Sequence, residues 1–213
     1  MYDDIQQYWN ELARAMQGMP FELLAQVAEV LFACHQRRGT VFLLGNGGSA
    51  ATASHFACDL AKGTRATGLH AFRVISLNDN MPLLTAWAND TSYERVFAEQ
   101  LSTLVRPDDV VILISASGNS PNVLAAAEVA TQVEATTIAL TGGSGGQLAL
   151  LADMAVCVPA QSIEQIEDAH LIVAHSLCVA LRGRLCTTAA LLEVEQSVLQ
   201  GRMVEQISMD YGQ

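Results

Sequence analysis

The sequence predicts an α/β protein: a five-stranded parallel sheet flanked by helices on both faces, with an N-terminal helical pair and long C-terminal helices. Three observations predict it. Short continuous apolar runs recur from Thr40 onward, helix-length segments separate them, and two of the runs feed loops rich in glycine or serine. A strand buried on one face alternates apolar and polar residues, whereas a strand covered on both faces is apolar throughout. Uninterrupted runs joined by helices therefore imply a parallel sheet inside a helical sandwich.

The elements follow in order. Ile5, Trp9, Leu12 and Met16 fall at helical spacing, and Gly18, Met19 and Pro20 break the run. Leu24, Val27, Leu31 and Cys34 form a second stripe, which ends at Arg37, Arg38 and Gly39. Strands are predicted at Val41–Leu44, Phe72–Ser76, Val110–Ile114, Thr136–Leu140 and Met154–Val158. After Ile163 the chain reads as helical to its end. The last helix carries Leu191, Val194, Val198, Met203 and Ile207, a stripe suited equally to a core and to a subunit interface. No repeat, low-complexity tract or linker divides the chain. Residues 1–213 are read as one domain, with residues 1–39 packing on it as a helical pair.

Bulk properties exclude several classes of function. A chain of 213 residues holds one full core but not two comfortable ones. Apolar residues make up 51% of it and charged residues 15%, rich for a monomer, so apolar surface buried between subunits is expected. The formal net charge of −11, with no basic run, argues against nucleic-acid partners, since phosphate backbones would repel the chain. The five cysteines form no CxxC pair and lie in apolar patterns. An odd count without a signal peptide reads as reduced, buried thiols in the cytoplasm. No apolar stretch reaches the ~18 residues of a membrane span.

Two strand ends carry unusual loops. The first reads Gly45, Asn46, Gly47, Gly48, Ser49 and feeds a helix. Glycines let backbone approach an anion, and a helix N-terminus offers free N–H groups and a favourable dipole. Gly45, Gly47 and Ala50 also fit the dinucleotide fingerprint G-x-G-x-x-A. The acidic residue that would meet a ribose ~20 residues later is absent, however. The first candidate, Asp79, lies farther on, and no nucleotide cofactor is expected. The second loop reads Ser115, Ala116, Ser117, Gly118, Asn119, Ser120 before Pro121, a good first-turn residue. One serine there would be an ordinary helix cap. Three hydroxyls opposite a second Gly/Ser loop point instead to a phosphomonoester, which an acidic protein can hold through amides and hydroxyls without a basic patch.

Titratable residues supply a candidate reaction centre. His55 and Asp59 lie four apart on one helix face, a spacing that suits a divalent metal, an acid–base pair or a plain surface pair. His175 sits far away in an apolar helical run with Ile172, Val173, Leu177 and Val179, where burial is the expectation. Upstream of it the same helix carries Glu164, Glu167 and Asp168. At about 100° per residue Asp168 lies about 20° from His175 on the helical wheel, against about 80° for Glu167.

GNGGSAATASHFACDL together with SASGNSPNVLAA resembles the SIS (sugar isomerase) domain, and the best match is the phosphoheptose isomerase family. The likeness runs from the N-terminal helices to the last one. It implies a flavodoxin-like sandwich and aldose–ketose isomerisation of a sugar phosphate such as sedoheptulose 7-phosphate, through an enediol. It implies Asp59 and His175 as the proton-transfer pair, and zinc held by His55, Asp59, Glu167 and His175. Implied substrate contacts are Asn46, Gly47, Gly48, Ser49, Asn89, Asp90, Ser115, Ser117, Asn119, Ser120 and Glu167. A homotetramer with sites near subunit boundaries is implied too. The chain departs from the family pattern at Asp59, where glutamate is usual, at Glu167 in place of glutamine, and at Ala116 in place of a phosphate-contacting threonine. The usual arginine after the first site helix is absent, with Lys62 or Arg65 nearby. The alternative is a non-catalytic SIS protein that binds phosphosugars or accompanies replication initiation. Such proteins keep the loops and lose the carboxylate and late histidine, both of which this chain retains as titratable groups.

Overall fold

The computed structural model describes residues 1–210, with side chains through residue 195. The two N-terminal stripes become α1 (Tyr2–Gln17) and α2 (Phe21–Gln36). The sheet strands are β1 (Thr40–Gly45), β2 (Arg73–Ser76), β3 (Val110–Ser115), β4 (Thr136–Gly142) and β5 (Met154–Val158). Between them lie α3 (Gly48–Cys58), α4 (Met81–Asp90), α5 (Val96–Leu104), α6 (Pro121–Gln132) and the short α7 (Leu148–Leu151). A π-helical turn, Asp59–Gly63, extends α3. The expected plural C-terminal helices are a single helix, α8 (Ile163–Asp210), because no glycine–proline break interrupts it.

All strand pairs are parallel, in the order β2-β1-β3-β4-β5. This is the flavodoxin-type order, whose switch point lies between β1 and β3. The continuous apolar runs have the anticipated cause. Val41 and Leu43 face a core shared with α2, α3 and α8, while Phe42 and Leu44 face the opposite core, with Phe97 and Leu101 of α5 and Val123 and Ala126 of α6. Each fully buried Val, Leu or Phe contributes about 1.5–3 kcal/mol, so both faces must be covered for the sheet to be stable.

The helical pair packs only in part. Leu12, Val27, Leu31 and Cys34 are buried, but Ile5 and Trp9 are exposed, Trp9 to 66%. Leu191 and Val194 of α8 are exposed as well, and Val198, Met203 and Ile207 lie outside the described side chains. The thiols depart from expectation. Cys34 and Cys178 are buried, whereas Cys58 and Cys186 reach the surface of their helices. No helix among the described residues is long and apolar enough to cross a membrane.

Candidate active site

Because Gly45 pairs with Ile114 in the sheet, the loops after β1 and β3 emerge side by side at the switch point. Between them lies a cavity of about 190 Å³ lined by Asn46, Ser49, Ser115, Ser117, Ser120 and Glu167. Ser115 Oγ and Ser120 Oγ are 3.1 Å apart. Gly118 makes the β3 loop possible: its φ is +65°, and a Cβ there would collide with the carbonyl of Gly145. Only glycine adopts that backbone without strain.

A buried residue that the sequence reading missed ties the loops together. Asn46 Nδ2 donates to Asn122 Oδ1 at 2.8 Å, and Asn122 Nδ2 returns a bond to Asn46 Oδ1 at 2.9 Å. Tyr93 Oη donates to the same Asn46 oxygen at 2.9 Å. Asn78 acts similarly at the end of β1, donating to Gly45 O at 2.8 Å and accepting from Gly45 N at 3.2 Å. The usable signal was an asparagine in the first turn of a helix that otherwise presents alanines and valines to the core. Asp79 accepts from the hydroxyl of Ser54 on α3.

Three predicted residues meet at the far end of α3. His55 Nε2 and His175 Nε2 each lie 3.5 Å from Asp59 Oδ2, and the two imidazole nitrogens are 3.3 Å apart. Asp59 opens the π-helical turn, an irregularity frequent at functional sites, with Leu60 fully buried behind it. The expected burial of His175 does not occur within one chain. The side chains of His55, Asp59 and His175 are 49%, 32% and 48% exposed, because His175 faces α3 across an open crossing of the two helices.

The donor set fits a zinc ion. A tetrahedral ion with bonds of about 2.0–2.1 Å sets its ligands about 3.3–3.4 Å apart, close to the 3.3 and 3.5 Å separations here. Two imidazoles and a carboxylate leave a fourth position open, the pattern of catalytic sites. The expected fourth ligand, Glu167, is not part of this group. Its carboxylate lies against Gly48 at the start of α3, where a Cβ would collide with it. Asp168, favoured by the helical wheel, is turned away and accepts from Tyr8 Oη of α1 at 2.5 Å. That bond, followed by burial, pushes the Tyr8 phenol up to about 12. The wheel misleads because other elements hold both carboxylates, Gly48 of α3 meeting Glu167 and Tyr8 of α1 meeting Asp168.

The remaining predicted contacts divide. Asn119 turns from the cavity, accepting from Gln147 N at 3.1 Å and donating to Ser117 O at 2.8 Å. Asn89 and Asp90 are exposed at the end of α4 and bonded to each other at 2.9 Å, outside the serine-lined cavity. Gly47 and Gly48 form the exposed turn into α3.

Comparison with known proteins places the chain in a family. The SIS domain profile matches residues 6–142. The chain is 41% identical over 167 residues to a phosphoheptose isomerase of Helicobacter pylori, covering 78% of this chain and 86% of that one. It is 40% identical over 156 residues to one from Roseiflexus, covering 73% and 79%. The solved phosphoheptose isomerase of Neisseria gonorrhoeae superimposes with a TM-score of 0.80 at 31% identity, covering 85% of this chain and 98% of that structure.

Proposed function

We infer the function from the premise that this chain belongs to the phosphoheptose isomerase family of SIS-domain proteins. It is a phosphosugar aldose–ketose isomerase, and sedoheptulose 7-phosphate is the substrate that fits. The observation that carries the reading is the meeting of His55, Asp59 and His175 beside two hydroxyl-rich loops at the sheet's switch point.

The separation of the two halves suits a heptose. Six residues of α3 from Ser49 to His55 rise about 9 Å. Eight bonds from C1 to the phosphorus of a heptulose 7-phosphate span about 9–10 Å when extended. Phosphate in the serine loops would then leave C1 and C2 at the level of His55, whose Nε2 lies 3.5 Å from Asp59 Oδ2.

In the proposed mechanism Ser49, Ser115, Ser117 and Ser120, with the amides at the start of α3, hold the phosphate and so fix the reacting carbons. Asp59 Oδ2 faces both imidazoles, which leaves Oδ1 to take the proton from C1 of the ketose. The resulting enediol is reprotonated at C2, and His175 carries the proton exchanged between O1 and O2. A zinc ion bound by His55, Asp59 and His175 would polarise the carbonyl and stabilise the enediolate. Glu167, set at the rim of the phosphate cavity, closes that end of the site. We place the enzyme in the cytoplasm and take it as a homotetramer; the exposed apolar residues of α1 and α8 support association between copies.

Incubation with sedoheptulose 7-phosphate in deuterated buffer tests the activity: one solvent deuteron should enter beside the carbonyl. No incorporation would overturn the isomerase reading. Metal analysis before and after chelation tests the zinc separately, and a metal-free protein of undiminished turnover would overturn that part.

A further inference from the structure

The opposite end of the sheet carries a concentration of positive charge that the isomerase chemistry does not use. Of the 11 basic side chains in a chain of net charge −11, Arg37, Arg38, Arg73 and Arg106 line one cavity of about 450 Å³. Arg37 and Arg38 follow α2, Arg73 opens β2, and Arg106 precedes β3. The cavity therefore sits at the amino ends of the strands, about 17 Å along β1 from the glycine loop.

Asp108 and Asp109 line the same cavity and offset half of its charge, leaving four guanidinium groups against two carboxylates. Asp109 is buried and used by the backbone: Oδ1 accepts from Thr40 N at 2.6 Å and Oδ2 from Arg106 N at 2.8 Å. Asp108 is exposed and 3.9 Å from Arg37 Nε, which donates to the Asp108 carbonyl at 2.9 Å. Among the described residues no carboxylate lies within 4.0 Å of the guanidinium of Arg38, Arg73 or Arg106.

Arg38 has φ of +60°, at a helix terminus where glycine is the unstrained choice. Glu134, just after α6, adopts the same conformation with φ of +63°, so the position tolerates a charged side chain. Helix C-termini attract cations, which accounts for Arg37 beside α2 but not for Arg73 at the start of a strand. Ile75 and Leu104, both partly exposed, give the cavity an apolar wall beside its arginines.

We propose that this cavity binds a phosphorylated small molecule carrying a flat apolar group, the chemistry of a nucleoside phosphate, at a site separate from the isomerase centre. Guanidinium forks match phosphate oxygens in pairs, and the apolar wall receives the base. The proposal stands independently of the isomerase reading.

Titration calorimetry of the intact protein with pyrophosphate and with ADP tests it. Both should bind, ADP more tightly, and Arg73→Gln with Arg106→Gln should weaken both at least about tenfold, as loss of charge-assisted bonds implies. Isomerase turnover without ligand should be unchanged. Arg38→Gly should also weaken binding while leaving the melting temperature equal or higher, which separates lost contacts from lost folding. Equal affinity in these variants, ADP binding no tighter than pyrophosphate, or displacement of ADP by sedoheptulose 7-phosphate would overturn the proposal.

Discussion

Asp59 Oδ2 is shared by two imidazoles, each 3.5 Å away, so replacing any one of the three groups disturbs the other two. Asp59→Asn keeps the shape and removes the charge, while His175→Gln keeps a polar tip and removes the titration. Both side chains are partly exposed, and neither supports the core, so folding should survive. Each variant should lower kcat by about 10²–10⁴, the usual contribution of a positioned acid or base. Steady-state rates beside circular dichroism check this. Near wild-type turnover in either variant would make that residue structural.

Loops and helices act in pairs here, and the Asn46–Asn122 exchange is the clearest case. Asn122 is buried in the first turn of α6, and its amide bonds twice to the glycine loop after β1. Asn122→Leu fills similar volume but leaves Asn46 with only Tyr93 as a partner. An unsatisfied amide costs about 1–3 kcal/mol, and here it lies in the loop proposed to receive the phosphate. KM for the sugar phosphate should rise while kcat changes less, since the His55–Asp59–His175 group lies on other segments. Matched losses in kcat and thermal stability would mean that Asn122 serves only the fold.

For the whole molecule, acid stability is decided in the core. His170 is 1% exposed, bonds through Nε2 to Thr141 O at 3.1 Å, and leaves Nδ1 without a partner. Burial lowers its pKa to about 4, against the opposing pull of the Thr141 carbonyl. His35 shifts in the same direction for the same first cause; it stacks on His70 at 4.1 Å. A histidine depressed in the native state binds its proton more readily when unfolded. Its contribution is therefore complete above the ordinary histidine pKa and is lost as pH falls from about 6.5 towards 4. For His170 the loss amounts to about 3 kcal/mol across that window. Denaturant midpoints at pH 7 and pH 4.5 should differ accordingly, and less so in His170→Gln. At the same scale, exposed Trp9, Ile5, Leu191 and Val194 predict assembly. Light scattering should give a tetramer, and Trp9→Glu should shift it to smaller species; a stable monomer at micromolar concentration would contradict the assembly and weaken the site.

Local chemistry determined what could be read from the chain itself. Apolar runs that need cover on both faces marked all five strands to within two residues at each end, from Val41–Leu44 within β1 to Met154–Val158, which coincides with β5. The two loops at the switch point, with His55 and Asp59 at four-residue spacing, were legible for the same reason: the interactions lie within one turn or one strand end. Tertiary structure decided everything that depends on how separate elements cross. It brought His175 to Asp59 over more than a hundred residues, set Glu167 against Gly48 and turned Asp168 to Tyr8. It paired Asn122 with Asn46 and gathered four arginines from three segments into one cavity. Hydrophobic periodicity specifies which face of an element is buried, but a helical wheel carries no crossing angle. The partner of a polar side chain is fixed only when packing chooses that angle.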